Sequence, residues 1–247
     1  MLNRIVIANL HATSHIQDRC HTFKKIPILK EYNLEKWTWT DADFGEMGWH
    51  DCPIYAVKFD DKVVLDLDYI LKWNKPKVKG MSYTFWISPA TLIFENVSLF
   101  KMNFMTDFVN GMEIHGITKS DVKNSTEWII ETQQGDITIH SKSFKQIIRR
   151  KPTLEFGQFI PENDRGDEHF SELSDKYHGH LKEILNERKV KFNLYELANE
   201  RATLKIELEN LNRDKYDTKE FLIIKREIDS RIEQLNKKLH GTWFERT

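Results

Sequence analysis

With 247 residues, 40% of them apolar and 12% aromatic, the chain can bury a sizeable core, and this composition excludes a disordered tether. Its 37 basic and 38 acidic residues nearly cancel, so no global field steers it toward nucleic acid or an acidic membrane. Two cysteines, Cys20 and Cys52, exclude a disulfide framework and a four-cysteine zinc site, and point to a reducing, cytoplasmic setting.

The N-terminal stretch lacks the basic, apolar and small-residue order of a secretory signal. No apolar run approaches the roughly 20 residues of a membrane span, so no membrane partner is expected. Residues 1–40 give little pattern. Arg4 to Ala8 suits a short strand, and a helix over part of 10–29 would align His11 and His15 one turn apart, with Cys20 and His21 beyond them. That spacing is compatible with zinc, but no glutamate of an HExxH motif accompanies it. Ordinary surface polarity explains these residues more simply than zinc does.

From Trp37 to Gly45 a strand leads into an acidic loop. Ile54–Phe59 and Val63–Leu71 then form a hairpin about the Asp60-Asp61 turn. Alternation in its second strand puts Val63, Leu65, Leu67 and Tyr69 on one face. Val64, Asp66, Asp68 and Ile70 fall on the other, the two carboxylates about 7 Å apart along the strand. Lys75, Lys77 and Lys79 sit on a Pro- and Gly-punctuated loop between Trp73 and the aromatic pair Tyr83 and Trp86. Strands are expected at Ser82–Ile87 and Thr91–Phe94, broken at Ser88-Pro89 because proline lacks the ladder donor. Further strands are expected at Val97–Met105, Glu113–Ile117, Glu127–Thr132 and Asp136–His140, with turns at Asn110-Gly111 and Gln134-Gly135-Asp136. Ser143–Arg150 closes the series as a strand or a short helix.

Residues 156–167, rich in Gly, Pro and polar side chains, read as a linker. Beyond it the apolar period changes from two to about 3.6. Phe170, Leu173, Tyr177, Leu181 and Ile184 make a first stripe. Leu197, Leu204, Leu208 and Leu211 continue a seam with Arg201 interrupting it. Asp217 and Glu220 suit a helix start, followed by Phe221, Ile224, Ile228, Ile232, Leu235 and Leu239, with Gly241 as the stop. The expected class is α+β: an N-terminal antiparallel β-sandwich or open barrel, then a C-terminal antiparallel helical hairpin or coiled coil. Its divisions are an uncertain segment at 1–40, a β-rich domain at 41–155, the linker, and the hairpin at 168–247.

Neither GxGxxG nor GxxxxGK[ST] occurs, so no nucleotide-binding signature is present. The strongest chemical constellation is His50, Asp51, Asp66 and Asp68, a candidate divalent-metal set, against which stands a solvated polar sheet face. Cys52 near His50 lacks an oxyanion loop and a third orienting residue, which favours a small buried cysteine over a nucleophile. His169, His178 and His180 fit exposed polar positions better than a metal site, since residues two apart do not share a helix face. Lys142, Lys145, Arg149, Arg150 and Lys151 form the densest basic run, a candidate for phosphate or an acidic partner.

Three segments, Trp49-His50-Asp51-Cys52-Pro53-Ile54-Tyr55, Asp66 to Ile70, and Phe85 to Val97 with its Pro-Ala-Thr-Leu and Phe-Glu-Asn-Val words, occur in a telling order. In them the chain resembles a group of uncharacterised bacterial β-domain proteins over about residues 48–150. That group carries no known activity to transfer, and its likeness in style to immunity proteins and other bacterial conflict modules is analogy. The expectation is a non-enzymatic bacterial interaction protein with no cofactor, bound to a protein partner, itself or another, and active in immunity or phage defence. The alternatives are a metal-dependent phosphoester hydrolase and a nucleic-acid-binding protein.

Overall fold

In the computed structural model the described residues are 27–105, 111–166, 169–174 and 180–247. The readings placed on residues 1–26, among them the His11, His15, Cys20 and His21 grouping, lie outside them, as do Asn110, Tyr177 and His178. No helix among the described residues is long and apolar enough to cross a membrane.

Ten strands are hydrogen-bonded into an antiparallel sheet: β1 (Thr38–Thr40), β2 (Cys52–Phe59), β3 (Val63–Asn74), β4 (Thr84–Glu95), β5 (Leu99–Phe104), β6 (Met112–Val122), β7 (Ser125–Thr132), β8 (Gly135–Ser141), β9 (Ser143–Ile148) and β10 (Thr153–Glu155). Their lateral order is β1-β9-β4-β3-β2-β6-β7-β8-β5, with β10 added to β4. The central hairpin is β2–β3, and β3 runs against β4 from Val63↔Phe94 to Asn74↔Thr84. Five steps along this path separate β9 from β7, which on a flat sheet is about 24 Å. Yet the Trp128 ring of β7 lies 5.1 Å from Phe144 of β9 and 6.1 Å from Phe94 of β4. The sheet therefore curls on itself around an aromatic interior of Phe44, Trp49, Phe94, Trp128 and Phe144.

The expected break at Pro89 is absent, and β4 is continuous through it. In an antiparallel strand a residue's N–H and C=O point to the same side. The Pro89 carbonyl accepts from Arg149 N, so the missing donor faces the gap where β9 ends at Ile148↔Ala90 and β10 begins at Thr153↔Ile87. Proline sits where no ladder partner needs it. Gly135 in the β7–β8 turn has φ of 141°, and a Cβ there would come 2.0 Å from the Asn103 carbonyl oxygen, so the position excludes any side chain.

Three helices follow: the single turn α1 (Glu162–Arg165), then α2 (Leu181–Glu209) and α3 (Thr218–Leu239). The side chain of Asp217 caps α3, accepting from the backbone N–H groups of Lys219 and Glu220. Helices α2 and α3 run back along each other, as Arg231 to Glu200 and Arg201 to Asn236 show. Leu197, Leu204, Ile228, Leu235 and Leu239 are buried between them, with Leu208, Ile224 and Ile232 half-buried at the margins. Leu211 and Phe221 of the expected seam are also half-buried. Arg201 does not break the seam: its guanidinium turns to the main-chain oxygens of Phe244 and Thr247.

The first helical stripe is corrected. Phe170 has a positive φ of 59° and packs on Val64, Ile93 and Ile147 of the sheet, and residues 169–174 are not helical. Burial of a phenyl ring on the sheet outweighs the helical period that its spacing suggested.

Candidate functional site: a buried arginine–aspartate lock and an exposed ring cluster

Asp66 and Asp68 are fully buried, each with 0% exposure, and neither is a solvated surface group. Residues 156–166 and 169–171 cover the outer face of β3, and protein donors surround both carboxylates. Asp66 Oδ1 accepts from Arg149 Nη2 at 2.6 Å and Arg165 Nη2 at 2.9 Å. Its Oδ2 accepts from Arg165 Nη1 at 3.1 Å and His169 Nδ1 at 2.7 Å. Asp68 Oδ1 accepts from Arg165 Nε at 2.9 Å, and its Oδ2 from the Tyr55 hydroxyl at 2.9 Å and the Ile160 backbone N–H at 2.7 Å. One guanidinium thus bridges both aspartates, and it also lies 3.8 Å over the Tyr55 ring.

Two arginines balance two carboxylates, which is the condition under which such charges tolerate burial. Burial alone would push the Asp66 carboxyl up. The hydrogen bond and charge of Arg165, the charge of Arg149 and the His169 contact outweigh it and hold the group below the usual carboxylate range. The neighbouring residue of the connector faces the other way. Asp164 accepts from Arg188 of α2, and Arg188 Nε also donates to both oxygens of the buried Glu155 at 3.0 and 2.9 Å. Arg150 closes this second network through Thr153 Oγ1 and the Asp164 carbonyl. Asp164 and Arg165, adjacent in sequence, tie the helices and the sheet to one short segment.

The four residues of the candidate metal set are not brought together. Among the described residues no group of three or more His, Cys, Asp or Glu side chains could hold a metal ion. His50 is exposed and donates to the His115 carbonyl from Nδ1 at 3.1 Å, while Asp51 accepts from Gln158 Nε2 at 2.6 Å. A cation at Asp66 and Asp68 would have to displace two guanidinium groups.

The basic run is likewise dispersed. Arg149 and Arg150 are buried, with exposures of 7% and 1%. Lys145 pairs with Glu95 and Glu172, and Lys151 lies 3.5 Å from Glu31. Lys142 is exposed. Cys52 is buried, its sulfur accepts from the Ile70 N–H, and burial pushes the thiol up to about 12, so it is no nucleophile at neutral pH.

What the structure does assemble on the surface is a ring cluster at the ends of β2, β3 and β4. Trp73 lies near-parallel to His50, with centroids 5.9 Å apart and planes at 15°. Tyr83 meets Trp73 edge-on at 6.2 Å, and the buried Phe85 supports it at 5.0 Å. His115 meets His50 at 5.5 Å. Asp51 holds a positive φ of 61°, an uncommon conformation for a residue other than glycine, between the buried Trp49 and the hydrogen-bonded Cys52. A hollow of about 350 Å³ at the base of the hairpin is lined by Arg201, Asn236, Lys237, His240 and Glu245, and His240 and Glu245 pair across it at 2.8 Å.

No protein-family model and no curated protein matches the chain. One solved structure that resembles it is titled "Crystal structure of an uncharacterized protein from Neisseria gonorrhoeae". The match covers 45% of this chain and 97% of that one at 13% identity, with a TM-score of 0.28, too loose a likeness to carry an argument.

Proposed function

We propose that the chain is a non-catalytic interaction protein in which the β-domain carries the helical hairpin as an arm reaching a protein partner. The observation that supports this most is the far end of the hairpin, which lies beyond its hydrogen bonds to the sheet region among the described residues. The contacts of α2 with the sheet region fall at Arg188, Tyr195 and Glu196. From Tyr195 to the last residue of α2, Glu209, is 14 residues, about 21 Å of helix that extends past these anchors. Toward that end Leu222 and Ile223 of α3 are 57% and 45% exposed, and Ile206 of α2 is 40% exposed. A helix whose seam is made by the half-buried Ile224 and the buried Ile228 has no need of apolar residues at 222 and 223 for that seam. The Trp49–Tyr55 and Pro89–Val97 segments resemble uncharacterised bacterial β-domain proteins, and the analogy in style between that group and bacterial conflict modules extends this reading to toxin neutralisation or phage defence.

The test is light scattering at several concentrations together with affinity capture, comparing the natural chain with L222D/I223D. Both positions are solvent-exposed, so the variant should keep its stability within about 0.5 kcal/mol of the natural chain's. The expected result is that it loses self-association or a captured partner. A natural chain that is monomeric throughout, with a capture profile identical to the variant's, would contradict the reading.

A further inference from the structure

The loop between β3 and β4 is built as a platform. Its apolar residues Val78 and Met81 are inserted into the core between the helices, and Met81 is only 6% exposed. Lys77 is tied to Glu196, and the Tyr195 hydroxyl donates to the Ser82 carbonyl at 2.8 Å. The segment that joins Trp73 to Tyr83 is therefore held at both ends and in the middle. Held in this way, it still leaves Trp73 40% and Tyr83 42% exposed, next to the exposed His50. Lys75 and Lys79 lie on the loop between these rings, are exposed, and have no ion-pair partner among the described residues. The nearest carboxylate in the cluster, Asp51, is engaged by Gln158.

Exposed flat rings interleaved with unpaired cations on a fixed backbone match one class of ligand in both parts. Bases present π-faces that stack on aromatic side chains whatever their sequence, and the phosphates between them seek lysine. We infer that the His50–Trp73–Tyr83 cluster, with Lys75 and Lys79, binds single-stranded nucleic acid, the rings stacking bases and the lysines holding the backbone. A neutral sugar would use the rings but leave the lysines without a role. An acidic peptide would use the lysines but not the rings. Duplex is disfavoured because its bases are stacked inside the helix and cannot reach the rings. This surface lies on the β-domain, apart from the hairpin tip, and stands if the arm proves to have no partner.

The experiment is fluorescence anisotropy with the full chain and a labelled mixed-sequence single strand of roughly a dozen nucleotides, as DNA and as RNA. Saturable binding is expected at low salt. With two phosphate contacts the affinity should fall by about 1.4 log units per tenfold rise in salt. Trp73→Ala should weaken binding about tenfold. Because Trp73 also packs on Phe85, the exposed pair K75E/K79E provides a variant that leaves the packing intact, and it should weaken binding by at least about tenfold at low salt and flatten the salt dependence. An unchanged melting temperature checks its fold. Absence of saturable binding at low salt would overturn the inference, as would binding indifferent to both variants. So would preference for a neutral oligosaccharide, or equal binding of polyglutamate with no effect of Trp73→Ala.

Discussion

Asp66, a candidate metal ligand in the sequence, has its acceptor sites filled by side chains of the protein. A carboxylate whose four hydrogen bonds come from two arginines and a histidine has no lone pair left for substrate or metal. Replacing it with Asn leaves Arg149 and Arg165 buried beside a neutral amide, which should cost about 3–5 kcal/mol in denaturant titrations at pH 7. The pH dependence follows from the direction of the shift. The folded-state carboxyl titrates below its unfolded value of about 3.9, so its contribution is complete above that value and is lost as pH falls through the folded one. Denaturation midpoints between neutral pH and pH 3 should therefore fall more steeply for the natural chain than for Asp66→Asn. Equal acid limbs would show that Asp66 is not held ionised by its partners.

The sequence displayed half of this arrangement. Alternation placed Asp66 and Asp68 together on the face opposite Leu65 and Leu67, and the structure has them there. What it did not display was their burial, although Val64 and Ile70 on the same face hinted that the face is covered. The partners were hidden for a physical reason. Arg165 lies 97 residues from Asp68, in a segment whose Gly, Pro and polar composition is that of a linker, and pairing across such a distance leaves no periodicity to read.

At the level of elements, local signals were legible where a local force decides them. The β2–β3 hairpin, the Asp217 cap and the Gly241 stop depend on turn and cap chemistry within a few residues, and all three occur as expected. Elements decided by distant packing were misread, as with Phe170, drawn onto the sheet, and Pro89, tolerated at a gap between two strands. The base of α2 belongs to the same class. Arg188 holds Glu155 of β10 and Asp164 of α1, so Arg188→Ala would strand a buried carboxylate. It should lose about 3–5 kcal/mol, while Lys225→Ala, in an exposed pair with Asp229, should lose at most about 0.5. Thermal or denaturant unfolding of the two variants measures the contrast, and comparable losses would deny Arg188 its role as an anchor.

At the scale of the whole molecule, the sheet and the hairpin are joined into a single mechanical unit. Two ion networks meet at Asp164 and Arg165, and a mixed apolar core joins Val78, Met81 and Phe156 to Tyr195, Leu239 and Phe244. An arm fixed in this way can present its tip at a defined distance from the β-domain, and the ring cluster at a defined orientation. Rigid presentation of two separate surfaces is what a scaffold for recognition requires, since little ordering entropy is then lost on binding.

Amide hydrogen exchange on the natural chain and on Arg165→Ala tests the lock most directly. The account predicts that peptides spanning residues 156–166 are protected in the natural chain, and that in the variant this segment and the base of α2 exchange much faster while β6–β8 stay unchanged. Equal protection of residues 156–166 in both proteins would contradict it.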